Sequence, residues 1–153
     1  MRIEMLKIAI AAWFALTISS TGTLAEPAGA DEASISQLLH TMFDKSNETV
    51  AVEPVLVAGD YAVADWAQGQ MGGRALLRRQ HQSWTLILCA GDGIKSREAL
   101  ARVGVPATGA QKLESDMIAA EAKLAPERVA MLSRFEGLVR MDGKETATHH
   151  PHH

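Results

Sequence analysis

Residues 84–90, WTLILCA, form an apolar run with Thr85 as its one weakly polar member. The run is shorter than a typical helix and rich in aromatic and branched side chains. It therefore predicts a strand buried on both faces. Gly91-Asp92-Gly93 stop it. Residues 74–80, RALLRRQ, are half apolar and half basic and precede it across His81-Gln82-Ser83. They read as a strand paired with it, and the rest of the chain must cover this pair.

Two more strands precede these. Residues 50–58, VAVEPVLVA, carry Pro54, which has no N–H for a ladder bond and predicts an edge strand or a bulge. Gly59-Asp60 is a two-residue hairpin signal. In the returning strand, YAVADWAQ, Tyr61, Val63 and Asp65 share one face, and Ala62, Ala64 and Trp66 the other. The glycine-rich turn 69–73 follows, completing a four-strand antiparallel meander. Ahead of it, Ser34 and Gln37 suggest a capping box. Ile35, Leu38, Leu39, Met42 and Phe43 make one apolar helix face over about residues 35–45, with His40 on the other side.

Past Gly93 the period becomes helical. Ser96 caps a helix that Gly104 closes. A second helix runs from Thr108 or Gly109 to Leu124 with Leu113, Met117 and Ala120 on its stripe. Pro126 begins a third, with Val129, Leu132, Phe135 and Leu138 apolar. The order is helix, four strands, about three helices. The class is α+β, with the helices expected on one sheet face.

The N-terminus reads as a targeting segment. Arg2 and Lys7 precede an eleven-residue apolar run, 8–18, which is too short to span a bilayer at about 20 residues. Thr23-Leu24-Ala25 supplies small residues for cleavage after Ala25. The expected organisation is a signal peptide at 1–25, a flexible lead at 26–32, an α+β domain at 33–141 and a disordered His-rich tail at 142–153. Cleavage leaves 13 basic and 17 acidic residues in a periplasmic chain with no later membrane span. That balance supplies no basic field for nucleic acid. One cysteine, Cys89, excludes an internal disulfide.

The stretch GDYAVADWAQGQMGGRALLRRQHQSWTLILCAGDGI, the later GVP at 104–106 and SRFEGLVRM at 133–141, with a histidine-rich end, resembles the bacterial copper uptake system-associated protein family. The resemblance covers residues 35–141. Its most specific pieces are 72–78, 84–92 and Phe135-Glu136-Gly137. It implies a small exported protein linked to periplasmic copper handling, whose partner is a periplasmic copper chaperone or an outer-membrane copper receptor.

The residues themselves offer several ligand sets. His149, His150, His152 and His153 flank Pro151 and concentrate neutral imidazoles that suit copper. The proline interruption is unlike a purification tag. Met71 in the glycine-rich turn, Cys89 on the central strand and Met141 before the tail are soft donors for reduced copper, and His81 is a further nitrogen. An amino-terminal copper site is absent, because cleavage after Ala25 puts Ala28 at the third position, and the second choice, cleavage after Ala30, puts Ala33 there. Arg74, Arg78 and Arg79 suggest a basic partner surface, with Arg74 and Arg78 on one strand face and Arg79 on the other. Asp92 between two glycines reads as a turn residue. Nucleophile elbows, phosphate loops and zinc-protease motifs are missing, so a non-enzyme is expected. Copper binding is the leading function, and a protein-interaction module with no specific metal site is the alternative.

Overall fold

The structure, a computed structural model, describes residues 28–143. A helix α1 (Ala28–Phe43) leads into strands β1 (Ala51–Ala58), β2 (Tyr61–Gln68), β3 (Met71–Gln80) and β4 (Ser83–Ala90). A 3-10 turn over Asp92–Ile94 is followed by helices α2 (Arg97–Arg102), α3 (Ala107–Glu121) and α4 (Pro126–Leu132) and a short strand β5 (Leu138–Arg140). The strands form one antiparallel sheet in the order β1-β2-β3-β4-β5. The α+β class and the meander stand, and the sheet has five strands, not four. Among the described residues no helix is long and apolar enough to cross a membrane.

The meander is built by short turns. Gly59 (φ +61°) and Gly69 (φ +58°) take the left-handed conformation that their tight turns demand. His81 and Gln82 adopt it without being glycine, at φ +47° and +67°. The β2–β3 register runs unbroken from Tyr61 opposite Arg78 to Gln68 opposite Met71. Pro54 lies on edge strand β1, after a cis peptide bond and inside a register shift between Val52 and Val55.

Helices cover both faces of the sheet, which corrects the expectation of cover on one. On one face Leu100 of α2 and Ala110, Leu113 and Met117 of α3 pack on Val63, Leu76, Ile87 and Leu88. On the other, Ile35 and Leu39 of α1 pack on Ala62, Ala64, Ala75, Leu77 and Leu86. The reason lies in β2, β3 and β4, which bury apolar side chains on both sides. Cover from one side would leave half of that area in water, at about 25 cal/mol per Å².

The other differences also trace to distant partners. α1 starts about two turns before residue 35. Ser34 is not its cap but bonds the Ala30 carbonyl from mid-helix. The early turns are held instead by Asp31, whose carboxylate accepts from Arg79 and from Trp84 Nε1. The third C-terminal helix stops at Leu132, short of Leu138. Phe135 leaves it to donate its N–H to the Gly72 carbonyl. Gly137 (φ +77°) then turns Leu138–Arg140 alongside β4. Ser96 caps α2 as expected, accepting from the Ala99 N–H.

Glycine-rich 69–73 is only partly a turn. Gly72 and Gly73 are strand residues, chosen for lack of bulk. A Cβ on Gly73 would lie 2.9 Å from Phe135 Cβ, 3.0 Å from the Ala90 carbonyl and 3.1 Å from the Trp66 ring. Gly73→Ala is expected to cost about 1–3 kcal/mol through overpacking. It should also weaken the near-ultraviolet aromatic signal as Phe135 is pushed from Trp66. Urea unfolding checks the first effect. A midpoint equal to wild type would show that Phe135 gives way freely.

Candidate functional site: a sulfur-lined cavity and a buried ion network

Cys89 reaches its position through a break in the strand's alternation. On β3 and β4, Leu76 faces Leu88 while Leu77 faces Leu86, so Ile87 is an extra residue. Ile87 and Leu88 both pack on the α2–α3 side, and Leu86 and Cys89 both pack on the α1 side. Strict alternation from Leu86 would have sent Cys89 to the α3 side. The bulge therefore re-aims the thiol.

It faces a cavity of about 210 Å³ lined by Phe43, Trp66, Gln68, Cys89, Phe135, Val139 and Met141. Trp66 and Phe135 meet edge to face, with centroids 5.7 Å apart. The Gln68 amide donates to the Phe43 and Glu48 carbonyls, at 2.8 and 3.0 Å, and so closes one wall. β5 closes another. Val139 pairs with Cys89, and the Met141 N–H donates to the Ile87 carbonyl at 2.8 Å. Cys89 is 5% exposed and Met141 41% exposed. Burial pushes the Cys89 thiol up to about 11, which makes it a protonated, slow nucleophile at neutral pH.

The cavity thus unites two of the expected soft donors, Cys89 and Met141. It excludes the other two candidates. Met71 begins β3, 46% exposed, and His81 lies just past its far end. A ten-residue strand at about 3.4 Å per residue puts them roughly 34 Å apart. His40 is engaged locally, its Nδ1 3.0 Å from Asp44. His149, His150, His152 and His153 lie outside the described residues. Among the described residues no three His, Cys, Asp or Glu side chains converge as a metal cage.

The basic partner surface of Arg74, Arg78 and Arg79 is corrected. Arg74 is completely buried. Its Nε donates to Glu121 Oε1 at 2.7 Å, and its Nη1 to the Gly91 carbonyl at 3.0 Å and to Asp92 Oδ1 at 3.2 Å. Arg79 pairs with Asp31 and stacks 4.6 Å above the Trp84 ring, and Arg78 is half-buried. Asp92 is indeed a structural turn residue, accepting also from Ser133 Oγ at 2.8 Å.

Two carboxylates share Arg74. Glu121 holds it closely and bonds Lys95 at 3.2 Å. Asp65, 1% exposed, stands 3.9 Å from Arg74 Nε, and neither of its oxygens accepts a hydrogen bond among the described residues. Burial raises the Asp65 carboxyl to about 7, against the pull of Arg74 and with a smaller push from Glu121.

Glu121 is absent from the candidates read in the sequence. Asp65 carries a signal there: a two-residue turn at Gly69-Gln70 sets Gln68 opposite Met71 and therefore Asp65 opposite Arg74. Glu121 has no such signal, because it comes from a helix 47 residues away. Comparisons of the chain with protein-family models, with curated proteins and with solved structures found no match.

Proposed function

We propose that the chain is an exported, non-enzymatic accessory protein of copper handling, cleaved after Ala25. In this role the histidines at 149–153 capture Cu(II) and the fold holds Cu(I) through sulfur. One observation supports it above the rest. Cys89 and Met141, 52 residues apart in sequence, line a single cavity. His149 follows Met141 by eight residues, a reach of at most about 28 Å, so imidazole and sulfur donors lie within one short tether. Nitrogen donors suit oxidised copper, and thiolate with thioether suits the reduced ion. A periplasmic copper chaperone or an outer-membrane receptor is the natural partner.

The test is the copper content, by mass spectrometry, of untagged protein exported to the periplasm, for the full chain and for a chain ending at Thr148. Copper is expected in both, at lower stoichiometry in the shorter one. Copper in the full chain alone would confine function to the histidines. Copper in neither would remove the metal reading.

A protein-interaction module is favoured by a different feature, the exposed apolar residues Leu138 (38%) and Val139 (47%) on edge strand β5 and Met141 (41%) just after it. A partner that still co-purifies after loss of residues 149–153, from protein carrying no copper, would support it.

A further inference from the structure

The free edge of β1 lies at the bottom of a trough. Helices α1 and α3 pack on opposite faces of the sheet, and both touch β1. A cavity of about 350 Å³ is lined by Asp31 and Glu32 of α1, by Val55, Leu56 and Val57, and by Lys112 and Asp116 of α3. β2 occupies one side of β1, so a cavity that reaches both helices straddles the other, open side. A second cavity, of about 430 Å³, extends the trough along residues 50–53, with His40 and Arg128 in its walls.

The backbone in this trough is unpaired in a regular way. Gly59-Asp60 is a two-residue turn, so Ala58 and Tyr61 exchange both ladder bonds. Alternation then turns the N–H and C=O of Leu56 toward β2 and those of Val55 and Val57 outward. Among the described residues neither valine's backbone bonds another segment outside the ladder. Two residues so spaced offer four ladder bonds to one more extended segment, which is the requirement for strand addition. Pro54 has no N–H and lies inside the register shift, so it ends the added pairing at Val55 and fixes its register. Val55 and Val57 pack on the α1 side and Leu56 on the α3 side. The side chains of a guest strand divide between the same two walls.

Charge selects the guest. The central cavity sets three carboxylates, Asp31, Glu32 and Asp116, against Lys112. Arg79 pairs with Asp31 and Lys112 with Asp116. Glu32 is left exposed and without an ion-pair partner among the described residues. Glu53 adds a second exposed carboxylate, and Arg128 beside it donates to the Glu53 carbonyl. A second copy paired here would bring the same acidic rim and flanking helices against themselves. We propose that the β1 edge binds an extended, cationic segment of another protein by strand addition at Val55 and Val57, with a lysine or arginine beside Glu32. This surface is separate from the copper ligands and needs no metal.

The probe is a fluorescein-labelled heptapeptide of alternating lysine and valine, added at low salt to the metal-free full chain. Saturable anisotropy is expected with a Kd at or below about 100 μM. Hydrogen exchange at the Val55 and Val57 amides, read by NMR, should slow at least about tenfold on binding. Val57→Pro removes one outward N–H at a position where an edge strand tolerates proline, and should weaken binding at least about tenfold. Glu32→Lys, on the surface of α1, should weaken it by about threefold to tenfold and reduce its salt dependence. A peptide N-methylated at alternate residues tests the ladder bonds without altering β1 and should not bind.

Equal binding by Val57→Pro or by the N-methylated peptide would overturn strand addition. Equal binding by a glutamate–valine peptide would overturn the choice of a cationic guest. Protection of residues 138–140 in place of Val55 and Val57 would move the partner to β5. Protection of Val55 and Val57 that rises with protein concentration alone would make the occupant a second copy, and no binding by any peptide would remove the site. Because the protein carries no metal, failure of the copper reading leaves each of these outcomes unchanged.

Discussion

Arg74→Met is expected to destabilise the fold by about 3–5 kcal/mol, the usual consequence of stripping one partner from a buried ion pair. The guanidinium is completely buried and is the closest cation to both Glu121 and Asp65. Without it Glu121 keeps, among the described residues, only Lys95, at 3.2 Å on a half-exposed side chain. The Gly91 carbonyl loses its donor at 3.0 Å as well. Arg74→Lys retains the charge, but one ammonium cannot reproduce a fork that binds Glu121, Gly91 and Asp92 together. It should fall between wild type and methionine. The double variant Arg74→Met with Glu121→Leu should recover part of the loss, because removing both charges is far cheaper than orphaning one. Urea midpoints decide the matter. A loss under about 1 kcal/mol for Arg74→Met would show that water reaches these carboxylates.

The protein is also expected to be more stable near pH 4.5 than near pH 8, the reverse of the ordinary carboxylate case. Asp65 titrates at 3.8 when unfolded and at about 7 in the fold. Between those values the folded chain holds a proton that the unfolded chain has released. Unfolding stability therefore falls as pH rises through this window and levels off above about 7. At about 1.4 kcal/mol per pH unit the full swing is about 4 kcal/mol. Asp44 acts in the other direction and elsewhere. The Val50 N–H lowers its carboxyl below 3.8, so its contribution is lost only in stronger acid. Asp65→Asn removes the titrating charge. It should stabilise the protein at pH 8 by about 1–3 kcal/mol, less than the full swing because the new amide also lacks partners. It should also flatten the profile. Urea unfolding from pH 4.5 to 8.5 reads both effects, and a flat wild-type profile would mean that Asp65 is charged throughout.

Much of the candidate site was hidden in sequence for one physical reason. Cys89 and Met141 were each visible as soft donors, but nothing local pairs them. Their meeting depends on β5 adding to the edge of β4 and on the bulge at Ile87, which reverses the side taken by Cys89. Alternation alone puts the thiol on the wrong face. The arginines 74, 78 and 79 failed as a surface because charge on a strand is silent about what packs over it. α3 brings Glu121 onto one and α1 brings Asp31 onto another.

The residues by themselves determined what neighbours can decide. Short apolar runs and glycine turns set four strands, while the register that opposes Asp65 to Arg74 came from β3 starting at Met71 inside the stretch read as a turn. Ser96 and Pro126 marked helix starts, because a cap acts within one turn of its helix. Only the tertiary structure decided that both sheet faces are covered and that α1 begins at Ala28, with Asp31 in its first turn. It alone decided that residues 138–140 form a strand and that Cys89 looks into an aromatic cavity. Each of those outcomes is stabilised by a partner far along the chain, such as Asp31 with Trp84 across 53 residues. A local window holds no record of the burial and pairing free energy such partners supply once the chain has closed on itself.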